Sequence, residues 1–193
     1  MKNSRLVRTL AVSVALVLSL ALVAVAQAKR ANFDITGGKT VLAPDVDTFE
    51  ALTSYGITVT PVEGAKGNNH GLVFPITGGV VRDNGPTGTV EHSGGIQFTN
   101  ASGAALVFDD LLLKVSHNKG KLFVTSGTDA FRFANIDLSS ATITGYPDNL
   151  NIKNLDATLA KPAAKALSTF VGTPIDKGTE LGVLKVKGQT QAQ

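Results

Sequence analysis

From Thr89 to Thr99 the side chains alternate in character. Val90, His92, Gly94, Ile96 and Phe98 share one parity, while Thr89, Glu91, Ser93, Gln97 and Thr99 share the other. Strand side chains point alternately to opposite faces, so this pattern predicts one strand with the first set turned to the core. Farther on, Leu106 and Phe108 keep one parity and Leu111, Leu113 and Val115 the other, with Asp109-Asp110 between them. A one-residue slip of phase predicts a bulge or a change of sheet, and Phe131–Leu138 shows a second slip near Asn135. Turn residues recur every eight to twelve positions, among them Thr36-Gly37-Gly38, Thr77-Gly78-Gly79, Asp83-Asn84-Gly85-Pro86, Asn118-Lys119-Gly120 and Gly145-Tyr146-Pro147-Asp148. That rhythm predicts a mainly-β fold, an antiparallel β-sandwich.

Two segments break the rhythm with helical spacing. Asp47–Tyr55 opens with Asp47 and Glu50 at capping-box distance, carries the stripe Phe49, Leu52, Tyr55, and stops at Gly56. Pro162–Val171 has proline at its start, the stripe Ala163, Leu167, Phe170, and a stop at Gly172. Helices this short do not hold themselves in water, so both are expected to dock on the sheets. Strands are expected to follow them at Ile57–Thr60 and Leu181–Lys187.

The first 28 residues are of another kind. Lys2, Arg5 and Arg8 precede the apolar run Leu10–Val25, and Ala26-Gln27-Ala28 closes it. This is the layout of a secretory signal peptide, with a run shorter than the ~20 residues that span a membrane. The expected organisation is a signal peptide over 1–28, a single β-rich domain over 29–187 and a polar tail over 188–193. The expected location is secreted or cell-surface. Beyond the leader, fifteen Lys and Arg face fifteen Asp and Glu. Such a balance gives no clustered basic footprint for nucleic acid and no polybasic patch for a membrane surface, and cleavage of the short apolar run is expected to leave no stable membrane span. The chain contains no cysteine, which removes thiol nucleophiles, iron–sulfur clusters and cysteine zinc sites.

Catalytic motifs are absent. There is no G-x-S-x-G elbow, no phosphate-binding GKS/T loop and no H-E-x-x-H, so no catalytic residue and no metal ligand set is assigned. A hydrolase would need a nucleophile, base and orienting acid brought together from separate strands. Adjacent strand residues face opposite ways, so Asp109-Asp110 reads as a solvated bulge rather than a carboxylate pair. His70 and His117 fall in turns. His92 differs, because it lies on the apolar parity two residues before a glycine that leaves that face without a side chain. A glycine inside a strand marks the close approach of a ligand or of another backbone. The imidazole is therefore a hydrogen-bonded core histidine, a group freed to solvent by a bend at Ser93-Gly94-Gly95, or a group facing a bound molecule.

The segment Phe74-Pro75-Ile76-Thr77-Gly78-Gly79, followed by Gly88-Thr89-Val90-Glu91-His92-Ser93-Gly94-Gly95-Ile96-Gln97-Phe98, resembles the HtaA-type haem-binding domains of actinobacteria. Their mark is a glycine-rich strand of the form G-x-V-x-[FH]-x-G-H-x-G-x-L leading into paired strands. The likeness spans roughly Phe49–Val186. It implies an exported, non-catalytic binding module with haem, or another apolar small molecule, as its ligand. It further implies that Tyr55, the early tyrosine, would ligate ferric iron and that His92 would tune or hydrogen-bond it, with Ile96 and Phe98 facing the porphyrin. The alternative is an extracellular structural or adhesion domain that contacts a cell-surface protein and takes no small ligand.

Overall fold

The computed structural model describes residues 32–82, 87–145 and 148–193. The leader lies outside them, as do the turns expected at Asp83–Pro86 and at Tyr146-Pro147. The elements in chain order are β1 (Asn32–Pro44), α1 (Val46–Ser54), β2 (Thr58–Val62), β3 (Lys66–Asn68), β4 (Gly71–Arg82), β5 (Thr87–His92) and β6 (Gly95–Thr99). They continue as β7 (Ala105–Ser116), β8 (Lys119–Ser126), β9 (Asp129–Asp137), β10 (Thr142–Thr144), β11 (Asn149–Leu159), α2 (Lys161–Val171) and β12 (Glu180–Ala192). Among the described residues no helix is long and apolar enough to cross a membrane.

The fold is mainly β and antiparallel, with two short helices, as the pattern predicts. The sheet also returns on itself. Its order runs β7-β5-β4-β1-β12-β11-β9-β8, and β8 pairs back to β7, so eight strands form a ring. Pairs β2 and β6 extend from the first part of β7, β3 adds to β4, and β10 adds to β11. The phase slip at Asp109-Asp110 lets β7 serve two neighbours. Ala105–Phe108 pairs with β6, while Leu112–Ser116 pairs with β5. Between them the register against β8 shifts, and Asp110 adopts φ +50°. The second slip sits two residues earlier than Asn135, with Phe133 the extra residue of β9 between the Leu122–Ala134 and Phe123–Arg132 pairs.

Two copies of F-x-I-T-G-G, Phe33–Gly38 on β1 and Phe74–Gly79 on β4, each bulge at the threonine. Because β1 and β4 are neighbours, the two bulges fall opposite one another. Pairing between them is interrupted from Asp34–Val80 to Lys39–Pro75.

The parity expected over Thr89–Thr99 holds, with Val90, His92, Gly94, Ile96 and Phe98 all buried. The expected single strand does not. It breaks at Ser93-Gly94, where Gly94 has φ +82° and a Cβ would overlap the Ala65 amide nitrogen. A Cβ on Gly95 would overlap the Phe108 carbonyl and the Asp109 side chain. Three backbones meet here, and only glycine lets them. The core above this crossing is aromatic. Phe108 is 1% exposed and meets Phe98, Phe131 and Phe133 at ring-centroid distances of 5.6, 5.5 and 5.5 Å.

Helix α2 matches its expected span and ends at Gly172 in the left-handed conformation. Helix α1 starts earlier than expected. The Asp45 amide is pinned to the Leu181 carbonyl of β12 at 3.1 Å, so the chain turns helical there. The cap is therefore Asp45, whose carboxylate accepts the Thr48 amide at 2.9 Å, and Asp47 becomes a first-turn acid. Strand β12 likewise runs past Lys187 to Ala192, pairing the polar end of the chain with β1.

Replacing Asp45 by alanine is expected to cost about 1 kcal/mol in urea unfolding, the usual worth of such a cap. Asp47→Ala and Glu50→Ala should stay within about 0.5 kcal/mol of the parent.

Candidate functional site

His92 lies at the end of β5, 6% exposed, inside the ring of strands. Its Nδ1 is 2.9 Å from the Leu111 carbonyl and its Nε2 is 2.6 Å from the Thr40 hydroxyl. A carbonyl only accepts, so Nδ1 carries the proton, and Nε2 of the neutral ring accepts from Thr40. Both nitrogens are thereby engaged. Leu111 is the residue beside the β7 bulge, and Thr40, 3% exposed, lies on β1. Burial lowers the His92 pKa from 6.5, opposed in part by the bond to Leu111. The hollow touching the ring measures about 10 Å³, hardly room for one water.

Tyr55 occupies the C-cap of α1 and is 53% exposed. Of its stripe, Leu52 is buried and Phe49 half-buried, so the helix tips its last turn away from the sheet. The phenol has no hydrogen-bond partner among the described residues. An apolar hollow of about 30 Å³ lies beneath α1, lined by Phe49, Leu52, Ile96, Phe98 and α2's Leu167 among others.

The fold does not bring Tyr55 and His92 together. Strands β2 and β6 pair with Thr58 opposite Thr99 and Val62 opposite Gly95. Tyr55 lies beyond the Thr99 end, its neighbour Gly56 against Ala101, and His92 lies beyond the Gly95 end. The four steps of β6 alone amount to about 13 Å at ~3.3 Å per residue. Ile96 and Phe98 are 4% exposed and face the core between the two ends.

Other chemistry is sparse. His70 and His117 are exposed, and the imidazole hydrogen bonds go to Thr40, Leu111 and Ser116 rather than to a carboxylate. No group of three or more His, Asp or Glu is placed to hold a metal ion among the described residues. Asp109 is the second perturbed group in the crossing. Its Oδ1 is shielded from water without a hydrogen-bond partner, and burial, then Glu63 and Asp110, push its pKa upward. Thr40 and Leu111 escaped the sequence reading. A threonine on the apolar parity of β1, beside Leu42, is the signal that could have found the first. A backbone carbonyl leaves none.

The two groups act on stability with opposite sign. His92 prefers its neutral form in the fold, so its contribution is complete above pH 6.5 and lost as pH falls below it. Asp109 prefers the protonated form, so its contribution is complete below pH 3.8 and lost as pH rises through its higher folded value. His92→Gln should cost about 2 kcal/mol at pH 7 by orphaning the buried Leu111 carbonyl. It should also flatten the loss of Tm on acidification below pH 6.5. Asp109→Asn should raise Tm at pH 7 and leave that acid limb in place.

The sequence profile of the HtaA family matches residues 48–179. No curated protein matches the sequence. Three solved structures from Corynebacterium glutamicum share the architecture. The C-terminal domain of HtaA superposes with TM-score 0.68 at 14% identity, covering 82% of this chain and 99% of that one. The heme binding protein HtaB gives 0.58 at 15%, covering 85% and 98%. The N-terminal domain of HtaA gives 0.59 at 17%, covering 80% and 97%.

Proposed function

The chain belongs to the HtaA family, and we propose that it is an exported, non-catalytic module that binds haem. The observation that carries this reading is the family match over 48–179, together with a fold shared along nearly the whole length of the heme binding protein HtaB.

The residues present fit haem at one donor. An exposed, unpartnered phenol such as Tyr55 is a hard oxygen ligand suited to ferric iron. The interior does not fit, since small-molecule sites run to about 300 Å³ or more and the two hollows under the strands measure about 30 and 10 Å³. On this reading Tyr55, exposed at the end of α1, would supply the anchoring oxygen, and a bound ferric porphyrin would supply an iron centre and a flat apolar face. His92 contributes from within, as a positioning residue that fixes the β5–β6 crossing through Thr40 and Leu111. The leader of residues 1–28 supports delivery outside the cytoplasm.

A second reading, an extracellular structural or adhesion domain without a small ligand, draws support from the sealed interior. One titration separates the two. Haemin added to the purified protein should shift its Soret band, and Tyr55→Phe should abolish the shift while leaving Tm unchanged. His92→Gln should lower Tm yet keep the shift. A parent protein with no spectral change removes the haem reading, and a shift that survives Tyr55→Phe removes Tyr55 as the ligand.

A further inference from the structure

In the middle of its length β7 runs without ladder partners. Its pairing with β5 ends at Leu112 opposite Glu91, and its pairing with β6 begins at Phe108 opposite Ile96. Against β8 the register steps from Leu112 straight to Asp109. Asp110 and Leu111 therefore stand outside the registers of all three neighbours. Facing them, the chain passes from β5 to β6 through Ser93 and Gly94, where the Ser93 amide donates to the Pro75 carbonyl at 3.0 Å. His92 closes the gap with its side chain. The rung after Glu91–Leu112 would set His92 opposite Leu111, and there the imidazole Nδ1 takes the carbonyl that a strand amide would otherwise take. Through Nε2 the same ring holds Thr40 on β1, which lies beyond β4 in the sheet. One ring thus stands in for a ladder among three strands.

This joint holds only while the ring is neutral. Nε2 accepts from Thr40 with its lone pair, and a proton placed there takes the lone pair and turns the Thr40 O–H away from its acceptor. The imidazolium would also be a charge without a counter-charge. Thr40 is the polar side chain lining the hollow at the ring, and the neighbouring strands line it with Phe74, Ile96, Leu113, Leu122, Phe133 and Leu184 among others. Lys39 and Glu91, next in sequence to Thr40 and His92, are exposed, and Glu63, Asp109 and Asp110 at the crossing do not line the hollow. A buried charge left unpaired is costly, so the proton is taken up where the ring swings out to water. Both connections that must move contain a glycine at positive φ, Gly94 at +82° and Gly64 at +97°.

We propose that His92 is an acid-released latch on the β5–β6 joint: with the ring protonated, residues 92–95 part from Leu111 and Thr40, the β2–β3 turn leaves with them, and the barrel wall opens there while β1, β4, β11 and β12 stay paired. The opening bares Phe74, Ile96 and Leu113, an apolar interior that the neutral form keeps shut. Asp109 works against it, because burial raises its pKa and its protonation on acidification removes a charge from the crossing. The latch does not depend on haem binding.

Hydrogen exchange of the purified protein, read by mass spectrometry and corrected for the intrinsic pH dependence of exchange, tests it. Between pH 7 and about pH 5, protection should fall roughly tenfold or more at residues 62–65, 93–96 and 109–112, because an opened imidazole favours the open form about tenfold per pH unit below 6.5. Strands β1 and β12 should keep their protection. His92→Gln has no proton to take up, so its crossing should exchange with no pH dependence over that range. Asp109→Asn should open at least as far as the parent. The proposal falls if protection at the crossing stays constant, or if β1 and β12 lose theirs to the same extent, which would be general acid unfolding. It falls equally if His92→Gln keeps the pH dependence of the parent or if Asp109→Asn abolishes it, outcomes that assign the effect to the carboxylates.

Discussion

A neutral imidazole sealed among apolar side chains has one donor and one acceptor, and each left unpaired costs about 1–3 kcal/mol. His92 meets that demand with groups from two other strands, the Thr40 hydroxyl of β1 and the Leu111 carbonyl of β7. The Leu111 carbonyl sits where the β7 bulge disturbs the ladder to β8, between Asp109 and Leu112. Bulge and histidine are therefore parts of one device. The bulge bends β7 so that it serves both β6 and β5, and the ring pairs a backbone group at the bend. The glycines at 94 and 95 allow the neighbouring backbones to close over it. An apolar side chain at 92 would fill the volume and leave that carbonyl orphaned.

Filling the interior in this way has a consequence for function. A barrel with a hollow of a few hundred cubic ångströms can enclose a ligand; the hollows inside this one measure about 30 and 10 Å³. Architecture and chemistry thus separate. The architecture is shared with HtaA and HtaB domains at 14–17% identity, which fixes the strand order and leaves outward positions free to differ. Chemistry then resides in whatever those positions carry, a lone phenol at the tip of α1 on one side and rows of lysine on another.

What could be read from the sequence follows from the range of each determinant. Parity is local, so the inward set Val90, His92, Ile96, Phe98 and the slip at Asp109-Asp110 were legible without a structure. Helix α2 was legible for the same reason, since its proline, stripe and glycine stop all lie within its own span. Determinants made by distant partners were not. The α1 cap moved to Asp45 because the Leu181 carbonyl, far along the chain, holds that residue's amide. The turn signal Ser93-Gly94-Gly95 is local, but what presses on it, the β2–β3 turn and β7, is not adjacent in sequence. The return pairing of β8 with β7 and the extension of β12 into the polar end are likewise matters of register between remote strands. At the site, the burial of His92 could be argued from its neighbours, but neither the exposure of Tyr55, which its place in the α1 stripe would bury, nor the separation of the two could. That separation is set by β6 lying lengthwise between them.

Charge shows the same division most sharply. Beyond residues 1–28, fifteen basic and fifteen acidic residues cancel in the sum, yet positions 39, 66, 153, 185 and 187 come from four strands and converge on one wall. Acids gather instead at the crossing, as Glu63, Asp109 and Asp110. The two concentrations do not have equal standing. At the crossing, Asp110 has the Thr125 hydroxyl at 3.1 Å, and its place follows from the bulge that the fold needs. The lysine wall answers to no such need. Nothing in the ladder between β1 and β12 asks for lysine at both members of a directly opposed pair, and an acid at either would turn a repulsion into an attraction. Sequences break a local rule of this kind where something other than stability is at stake. An anion lying between Lys39 and Lys187 would be drawn to both and offset their mutual repulsion.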